Sequence, residues 1–264
     1  AFVIGVGRDL QRSLEAEEQV LAACPGGQVR YLLADLSRQA EIRQLASDIE
    51  EELREAGFSA LDVLVNNAGT YSGRRIYTED GVELMLAVNH LAPFLLTRLL
   101  LPLLEAAPAG RILTISSDSH RYALLNLNRL NHPLIYFGLD RYQVTKLANV
   151  LFTFELNRRL ANTRIRAFSV EPGLINTAIG SKGSGALASF VWKYRRKKGR
   201  SADIPAQTVL FLCSEPSLQD TRDYNWRDCH PKAPSRKAQQ ADLARKLWQK
   251  SMDLCELNDK NGKL

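Results

Sequence analysis

Tyr142 and Lys146 have the residue types and the spacing of an acid/base pair. They are four positions apart, so on a helix both side chains lie on one face. Tyrosine is a poor base at neutral pH because its reference pKa is about 10, but an adjacent ammonium group lowers that pKa by favouring the phenolate. Such a pair can exchange a proton with a bound group. The spacing alone is weak evidence, because Tyr194 and Lys198 repeat it in a basic segment, where we interpret it as coincidence.

Three serines follow the predicted strand that precedes Tyr142. The segment RILTISSDSH places Ser116, Ser117 and Ser119 at the carboxyl end of that strand. At such an edge one hydroxyl can hydrogen-bond a substrate carbonyl while the tyrosine donates or removes the proton. The alternative is a serine-rich turn without a chemical role.

A second apolar strand ends in two amides and a glycine, in the segment LVNNAG. We expect the side chains of Asn66 and Asn67 to tie the adjoining strands together by hydrogen bonds. Ala68 and Gly69 would leave room for a cofactor to lie against the backbone. The alternative is an Asn-Gly-type turn that only reverses the chain.

Two glycines near the start of the sequence match a phosphate-binding loop only in part. A dinucleotide fingerprint needs G-x-G-x-x-G between a strand and a helix. Gly5 and Gly7 supply the first two glycines, but Leu10 stands at the third place. Whether the stretch VIGVGRD binds phosphate therefore has to be inferred from the rest of the sequence.

Strands and helices alternate along most of the chain, which predicts parallel strand–helix–strand units. We therefore expect an α/β fold with a Rossmann-like, doubly wound parallel sheet, in three α/β/α layers and one domain. Ligands bind such sheets at the carboxyl ends of the strands. The predicted strands are FVIGV, QVRYLLA, LDVLVN, GRILTIS and IRAFSV, and the predicted helices include LQRSLEAEEQVLAAC, RQAEIRQLASDIEEELREAG and RYQVTKLANVLFTFELNRRLA.

Two further helices and one irregular segment complete the prediction. A long helix from about Glu79 to Glu105 should bend near Pro93, because proline interrupts helical hydrogen bonding. A C-terminal helix should dock through an apolar stripe of Leu243, Leu247 and Leu254. Residues 178–202 are rich in Gly, Ser and charge and are interpreted as a substrate lid; their apolar residues Leu187, Phe190, Val191 and Trp192 would suit a lipophilic substrate or pack as core.

The motifs NNAG, ISS, YQVTK and EPGLINT, in that order along one α/β chain, resemble the short-chain dehydrogenase/reductase family. The stretches TEDGVELMLAVNHLAPFLLT, YQVTKLANVLFT and YNWRDCH with ARKLW resemble its retinol dehydrogenase branch. The resemblance covers nearly the whole chain. It implies NADP(H)-dependent interconversion of a lipophilic alcohol and its aldehyde or ketone. A retinoid, a steroid, a lipid aldehyde and a xenobiotic carbonyl fit this expectation equally well.

The resemblance also implies four catalytic residues. Tyr142 would be the acid/base, Lys146 would hold the ribose hydroxyls and lower the tyrosine pKa, and Ser117 would orient the carbonyl. Asn89 would hold a water of a proton relay through its main-chain carbonyl. In a regular helix that carbonyl would accept from the N–H of Pro93, which has none, so the sequence leaves it free. The alternative is a proline kink relieved by unrelated packing.

The cofactor implied by the resemblance is NADP. Arg8 would contact its 2′-phosphate, because a guanidinium fork suits phosphate; the alternative is a surface arginine paired with Asp9. No metal site is expected. The implied cofactor-binding residues are Arg8, Asp35, Leu36, Asn67, Ala68, Gly69, Tyr142, Lys146, Pro172, Gly173 and Thr177.

The chain departs from the family pattern at its start. By the resemblance AFVIGVGRD is the second strand of the family fold, so we expect the first strand, the glycine-rich loop and the first helix, roughly 30 residues, to be missing. A catalytically impaired member that acts as a binding or regulatory module is therefore the alternative function. Two smaller departures are Glu171, where the branch usually has His before Pro-Gly, and Ala92-Pro93 in place of Gly-His.

Composition and charge bound the remaining possibilities. The chain has 264 residues, 45% of them hydrophobic and 24% charged, which is ordinary for one globular domain. Much of the net charge of +6 lies in residues 193–200, KYRRKKGR. We interpret this segment as a solvated loop, with peripheral contact to an anionic membrane as an alternative, and we expect no nucleic-acid partner.

The cysteines and the hydropathy pattern indicate a location for the protein. Four scattered cysteines without a C-x-x-C pair favour reduced thiols over a disulfide framework or a zinc site. We expect no membrane span, because no apolar run approaches the roughly 18 residues that a span needs, and we expect no signal peptide. We expect an intracellular protein, cytoplasmic or membrane-associated through a segment absent from this chain. A homodimer is compatible with the sequence.

Overall fold

The computed structural model describes residues 1–173 and 201–257. Its strands are β1 Phe2–Gly7, β2 Gln28–Leu33, β3 Val63–Asn66, β4 Arg111–Ile115, β5 Arg166–Val170, β6 Asn225–Arg227 and β7 His230–Pro231. Its helices are α1 Leu10–Ala23, α2 Gln39–Glu55, α3 Leu84–Leu86, α4 Ala92–Ala106, α5 Gly138–Arg159, α6 Asp203–Ser214 and α7 Ala241–Leu254. A π-helical turn, Ala87–Leu91, joins α3 to α4.

The strands form two sheets with parallel pairing. β1 pairs with β2, and a second sheet has the order β3-β4-β5-β6-β7, in which all pairs but the last are parallel. The predicted doubly wound α/β fold is confirmed. Among the described residues no ladder joins β1 to β3, so the sheet is divided between them.

Successive residues of the central strands face two different cores. Leu64, Ile112 and Ala167 belong to the larger core, which α2, α4, α5 and α7 cover. Leu113 and Phe168 belong to a smaller core on the other face, together with Leu212 of α6. This alternation follows from the two-residue period of a strand, and both faces of the sheet are buried as expected for parallel strands.

Apolar side chains are exposed around the division between the sheets. Val3 and Val6 of β1 and Val65 of β3 are 52%, 37% and 38% exposed. Helix α1 is also largely uncovered, since only its Ser13 is buried. Its large apolar residues that are exposed are Leu10, Leu14, Val20 and Leu21. This exposure lies where the sequence predicts a missing strand and helix, and we interpret it as a place that a further segment would cover.

The long helix that contains Asn89 begins later than predicted. We expected its start near Glu79, but α3 begins at Leu84, so that boundary was wrong. The reason is a turn at Gly81, whose φ of 69° suits glycine, followed by the Glu83 carboxylate, which accepts from the N–H groups of Met85 and Leu86 at 3.1 Å. The predicted irregularity near Pro93 is present as the π-helical turn.

This helical stretch has the length and composition of a membrane span, so the expectation that no apolar run approaches that length was wrong. Leu84–Ala106 has a window of mean hydropathy 1.6, and 78% of that window is buried inside the protein. It therefore packs here as the core helix between α2 and α5, which explains its apolar sequence without a bilayer.

The C-terminal helix α7 docks on the larger core as predicted. Leu247 and Trp248 lie at the centre of its buried face, whereas the predicted stripe residues Leu243 and Leu254 are only partly buried at its edges. The Trp248 ring packs edge-on against Phe94, with centroids 4.9 Å apart. Helical periodicity thus identified the docking face, but the centre of that face includes Trp248, which the predicted stripe did not contain.

We expect Trp248→Ala to lower the free energy of unfolding by about 3 to 5 kcal/mol, because it removes a large buried aromatic side chain. Chemical denaturation followed by circular dichroism measures this change. Lys246→Ala on the exposed face of the same helix is the matched control and should change stability by less than about 0.5 kcal/mol. Equal losses in the two variants would contradict the docking of α7 through Trp248.

Candidate active site

The predicted acid/base pair lies on one face of α5. The Lys146 Nζ atom is 5.5 Å from the centroid of the Tyr142 ring. Lys146 is only 4% exposed, and its Nζ donates to the carbonyl of Ile115 at 2.9 Å. Burial lowers the pKa of Lys146 to about 8. The lysine is therefore a poorly solvated cation close to the tyrosine ring.

The start of α5 is held close to the segment after β3. A Cβ on Gly138 would lie 2.5 Å from the carbonyl oxygen of Ser72, so only glycine fits this position. The half-buried Tyr142 ring packs edge-on against Tyr71, with centroids 6.2 Å apart. This packing gives the tyrosine a fixed orientation.

The three predicted serines have different roles in the structure. Ser116 is buried and donates to the carbonyl of Lys146 at 2.9 Å, which joins β4 to α5. The Ser117 Oγ accepts from the Ser119 N–H at 3.2 Å and from the Ser119 hydroxyl at 3.0 Å. An oxygen that accepts two bonds still has its own proton to donate. Of the three, Ser117 therefore has the geometry of a carbonyl-orienting group.

Asn89 joins the segment after β3 to α5. Its Oδ1 accepts from the Thr70 N–H at 2.7 Å, and its Nδ2 donates to the Thr70 carbonyl at 3.0 Å and to the Thr145 hydroxyl at 3.2 Å. Thr145 in turn donates to the carbonyl of Tyr142 at 2.8 Å. The fully buried amide thus ties the backbone near Gly69 to the backbone of the tyrosine.

The helix is irregular at Asn89, as the sequence predicts. The Ala92 N–H donates to the carbonyl of Ala87, five residues earlier, which widens the turn. Pro93 cannot donate to the Asn89 carbonyl. That Asn89 uses this carbonyl to hold a water stays a prediction.

A cleft of about 480 Å³ brings together five of the eleven predicted cofactor residues, namely Arg8, Asp35, Leu36, Ala68 and Gly69. It lies at the carboxyl ends of β1, β2 and β3, where a doubly wound sheet binds its ligand. Gly69 lies at the catalytic end, since a Cβ there would be 3.6 Å from the Asn89 Oδ1 and 3.9 Å from the Lys146 Nζ. The lining residues are Val6, Gly7, Arg8, Ala34, Asp35, Leu36, Ser37, Ala68, Gly69, Thr70, Tyr71, Leu84 and Val88.

Asp35 and Arg8 give the far end of the cleft a charged pair. Burial alone would raise the pKa of Asp35, but hydrogen bonds from Ser37 and the charges of Arg8 and Arg38 together lower it. The Asp35 carboxylate accepts from the Ser37 N–H at 2.9 Å. A carboxylate acceptor beside a guanidinium suits the adenosine part of a dinucleotide that carries a ribose phosphate.

The two N-terminal glycines do not form a phosphate-binding loop. A Cβ on Gly5 would lie 2.6 Å from the Tyr31 ring, and one on Gly7 would lie 2.3 Å from the Ser13 hydroxyl. These glycines therefore permit close packing. The N-terminus of α1 is already capped by the Asp9 carboxylate, which accepts from the Arg12 N–H at 3.0 Å and would repel a phosphate.

One predicted function of the NNAG segment was wrong. Asn66 does not tie neighbouring strands together but donates to the Thr97 hydroxyl on α4 at 3.1 Å. Asn67 has an exposed side chain, because the edge of β3 next to it has no paired strand among the described residues. Asn67 remains a predicted cofactor contact at the edge of the cleft.

The predicted site residues after β5 are described only in part. Pro172 is half-buried, and Gly173 has a φ of 77° and lies against the Arg227 guanidinium. Thr177 lies outside the described residues. The same holds for the lid 178–202 apart from Ser201 and Ala202, for the basic segment 193–200, and for Tyr194 and Lys198.

A charge cluster around the buried Glu171, next to Pro172, was not predicted. Glu171 is 1% exposed, accepts from the Lys232 Nζ at 2.7 Å and from the Asn225 Nδ2 at 2.9 Å, and lies near His120. Lys232 also donates to Asp118 at 2.9 Å. The sequence could not show this cluster, because the partners of Glu171 are distant in the chain. Its one signal was the departure from the family pattern at Glu171.

Comparisons with known proteins find relatives with similar sequences. The family model described as short chain dehydrogenase matches residues 1–185. Retinol dehydrogenase 14 of Homo sapiens is 36% identical over 217 residues, which cover 79% of this chain and 62% of the human protein. The Mus musculus protein of the same name is 34% identical over 263 residues, which cover 94% of this chain and 76% of that protein. The match thus spans less than two thirds of the human relative.

A solved structure shows the same fold. A crystal structure of a protein from Mycobacterium paratuberculosis is 31% identical in sequence and superposes with a TM-score of 0.70. The alignment covers 98% of this chain and 85% of that protein. The cleft and the residues around Tyr142 therefore lie in a fold that is already known from experiment.

Proposed function

Because this chain belongs to the short-chain dehydrogenase/reductase family, we propose that it is an oxidoreductase that interconverts a lipophilic, retinoid-like alcohol and its aldehyde or ketone with NADP(H). The family uses nicotinamide cofactors. The observation that most directly supports the proposal is that Lys146 and Asn89 lie beside Gly69 of the cleft, with Tyr142 next to Lys146. The retinoid class is supported by relatives named retinol dehydrogenases.

Each residue of this group has a chemical task that fits its surroundings. The Ser117 hydroxyl donates to the substrate oxygen and orients it. Tyr142 transfers the proton to or from that oxygen. Lys146, a buried cation beside the ring, stabilises the phenolate form of the tyrosine. Asn89 fixes the backbone on which Gly69 and Tyr142 lie.

The cleft fits the adenosine end of the cofactor. Arg8 would pair with the 2′-phosphate, Asp35 would accept from the adenine, and Ala68 and Gly69 would lie against the ribose and the chain toward the nicotinamide. When bound, NADP(H) supplies or accepts the hydride. Among residues 1–173 and 201–257 no glycine-rich helix start lies free to receive the pyrophosphate, so that part of the cofactor needs a further segment.

We expect Arg8→Ala to raise the KM for NADPH by about 10- to 100-fold, because it removes charge-assisted hydrogen bonds to the 2′-phosphate. The KM for NADH should not change, since NADH lacks that phosphate. Initial-rate kinetics on the longest natural form of the protein measure both constants. Arg12→Ala, which removes an exposed guanidinium one helical turn further on, is the control. Equal effects on NADPH and NADH would show that Arg8 does not read the phosphate.

The division between β1 and β3 favours a second candidate function. A chain without the pyrophosphate site would act as a binding or regulatory module instead of an enzyme. The intact group of Ser117, Tyr142, Lys146 and Asn89 favours the enzyme.

The proposed activity is tested with retinol and retinal, a steroid ketone, a lipid aldehyde and an aromatic xenobiotic carbonyl, each with NADPH or NADP⁺. We expect the highest kcat/KM with the retinoid pair. Cofactor binding without turnover of any of these compounds would reject the enzyme and support the module.

A further inference from the structure

A buried histidine lies directly beside the catalytic group and has no part in the mechanism above. His90 follows Asn89 in the π-helical turn and is 0% exposed. Its Nδ1 is 3.3 Å from the Asn149 Oδ1, and its Nε2 is 2.9 Å from the Ser251 Oγ. Burial lowers the pKa of His90 to about 4, so the ring is neutral at physiological pH. It connects three helices, because Asn149 lies on α5 and Ser251 on α7.

The directions of these hydrogen bonds follow from the partners of Asn149. Its Nδ2 donates to the carbonyl of Ile115 at 3.2 Å, so its Oδ1 faces His90 and must accept. The Nδ1 of His90 therefore carries the hydrogen, and its Nε2 accepts from the Ser251 hydroxyl. The carbonyl of Leu247, 2.9 Å from the same hydroxyl, is the competing acceptor.

The Ile115 carbonyl connects this chain of bonds to the catalytic lysine. It accepts both from the Asn149 Nδ2 and from the Lys146 Nζ, at 3.2 and 2.9 Å. The ladder between β3 and β4 ends one residue earlier, at the pair of Asn66 and Thr114, so this oxygen lies beyond the ladder. The side chains of Lys146 and Asn149 on α5 donate hydrogen bonds to it instead.

We propose that His90, Asn149 and Ser251 are positioning residues that hold the ammonium group of Lys146 in place through the shared Ile115 carbonyl. Without His90, the amide of Asn149 can rotate and point its Oδ1 at the Ile115 carbonyl. The two oxygens then repel each other, and the Lys146 ammonium group is held less firmly. The C-terminal helix is thus coupled to the active site through Ser251. The role of these residues rests on the proposed function, in which Lys146 acts on Tyr142 and the cofactor.

The first test measures the lysine directly. Reductive methylation with formaldehyde and cyanoborohydride, followed by peptide mass spectrometry, gives the labelling rate of Lys146 without cofactor or substrate. We expect His90→Phe, which keeps the ring packing against Phe94 and Phe152, to raise this rate about fivefold or more, the factor that one lost hydrogen bond corresponds to. Ser251→Ala should raise it by a smaller factor. His90→Asn, which places an amide N–H near the position of Nδ1–H, should restore the slow rate.

Thr153→Val is the matched control. Thr153 is 1% exposed on α5. Its hydroxyl donates to the main-chain carbonyl of Asn149 at 2.9 Å, whereas His90 contacts the side chain of Asn149. Removing it should lower the melting temperature to a similar degree as Ser251→Ala and leave the labelling of Lys146 unchanged. All rates are measured well below the melting temperature of every variant.

The second test separates positioning from stability. His90→Phe and Ser251→Ala should lower kcat and raise the KM for the cofactor, with the KM for the alcohol unchanged. If neither variant changes the labelling of Lys146 more than Thr153→Val does, the three residues only stabilise the fold and the proposal is wrong. If the unaltered protein shows no turnover, the proposed function fails, whereas the labelling rates still decide whether the residues hold Lys146.

Discussion

We expect Tyr142→Phe to lower kcat by about 10²- to 10⁴-fold, the usual contribution of a positioned acid or base, while cofactor binding stays measurable. The substitution removes the phenolic hydroxyl and keeps the ring. The contact of that ring with Tyr71 and its approach to the Lys146 Nζ therefore remain. Steady-state kinetics with the retinoid pair and a cofactor titration by fluorescence measure the two quantities separately.

Tyr194→Phe is the matched control for this prediction. Tyr194 and Lys198 repeat the four-residue spacing of the predicted pair. If spacing alone created the acid/base group, both tyrosines would matter equally. We expect Tyr194→Phe to retain nearly full kcat. An essential Tyr194 together with a dispensable Tyr142 would show that the active site is elsewhere.

Local patterns were sufficient to predict the parts of this site that depend on helix periodicity and strand ends. That Tyr142 and Lys146 share one face of α5 follows from their four-residue spacing, and the place of Ser116, Ser117 and Ser119 follows from the end of β4, whereas the choice of Ser117 among them came from the family resemblance. The irregular helix at Asn89 follows from the missing N–H of Pro93. Each of these features is determined by residues within one turn or one strand, so the sequence shows its physical cause directly.

Features that depend on tertiary partners could not be predicted in the same way. The bond of Asn66 to Thr97 spans 31 positions, and the bonds of Glu171 to Lys232 and of His90 to Ser251 span 61 and 161. A periodic pattern in the sequence does not show which distant residues will form hydrogen bonds. Helix α1 was predicted correctly, but the exposure of its apolar residues depends on what the neighbouring elements cover.

The largest effect expected on cofactor binding concerns the division between β1 and β3. We expect a polypeptide of these 264 residues alone to bind NADPH about two to four orders of magnitude more weakly than the same polypeptide with a glycine-rich strand, loop and helix placed before Ala1. Two charge-assisted hydrogen bonds from a helix N-terminus to the pyrophosphate, at about 1.5 to 3 kcal/mol each, account for a factor of this size. The N-terminus of α1 cannot replace them, because Asp9 occupies it.

The same segment should also stabilise the fold. A strand between β1 and β3 would pair with the backbone groups along both edges and cover Val3, Val6 and Val65. Each backbone hydrogen bond that the strand adds contributes about 0.5 to 1.5 kcal/mol, compared with a domain stability of about 5 to 15 kcal/mol. The melting temperature should therefore rise when the segment is present.

A titration with NADPH by calorimetry and a thermal melt, both done with and without the added segment, measure these two effects. The control is the same segment with its loop glycines replaced by alanine. It should raise the melting temperature, because the strand still pairs, and should leave NADPH binding weak, because alanine side chains keep the backbone N–H groups away from the pyrophosphate. Micromolar binding and a sharp cooperative melt of the 264 residues alone would contradict the prediction. VIGVGRD would then have to act as the phosphate loop, against the packing of Gly5 on Tyr31 and of Gly7 on Ser13.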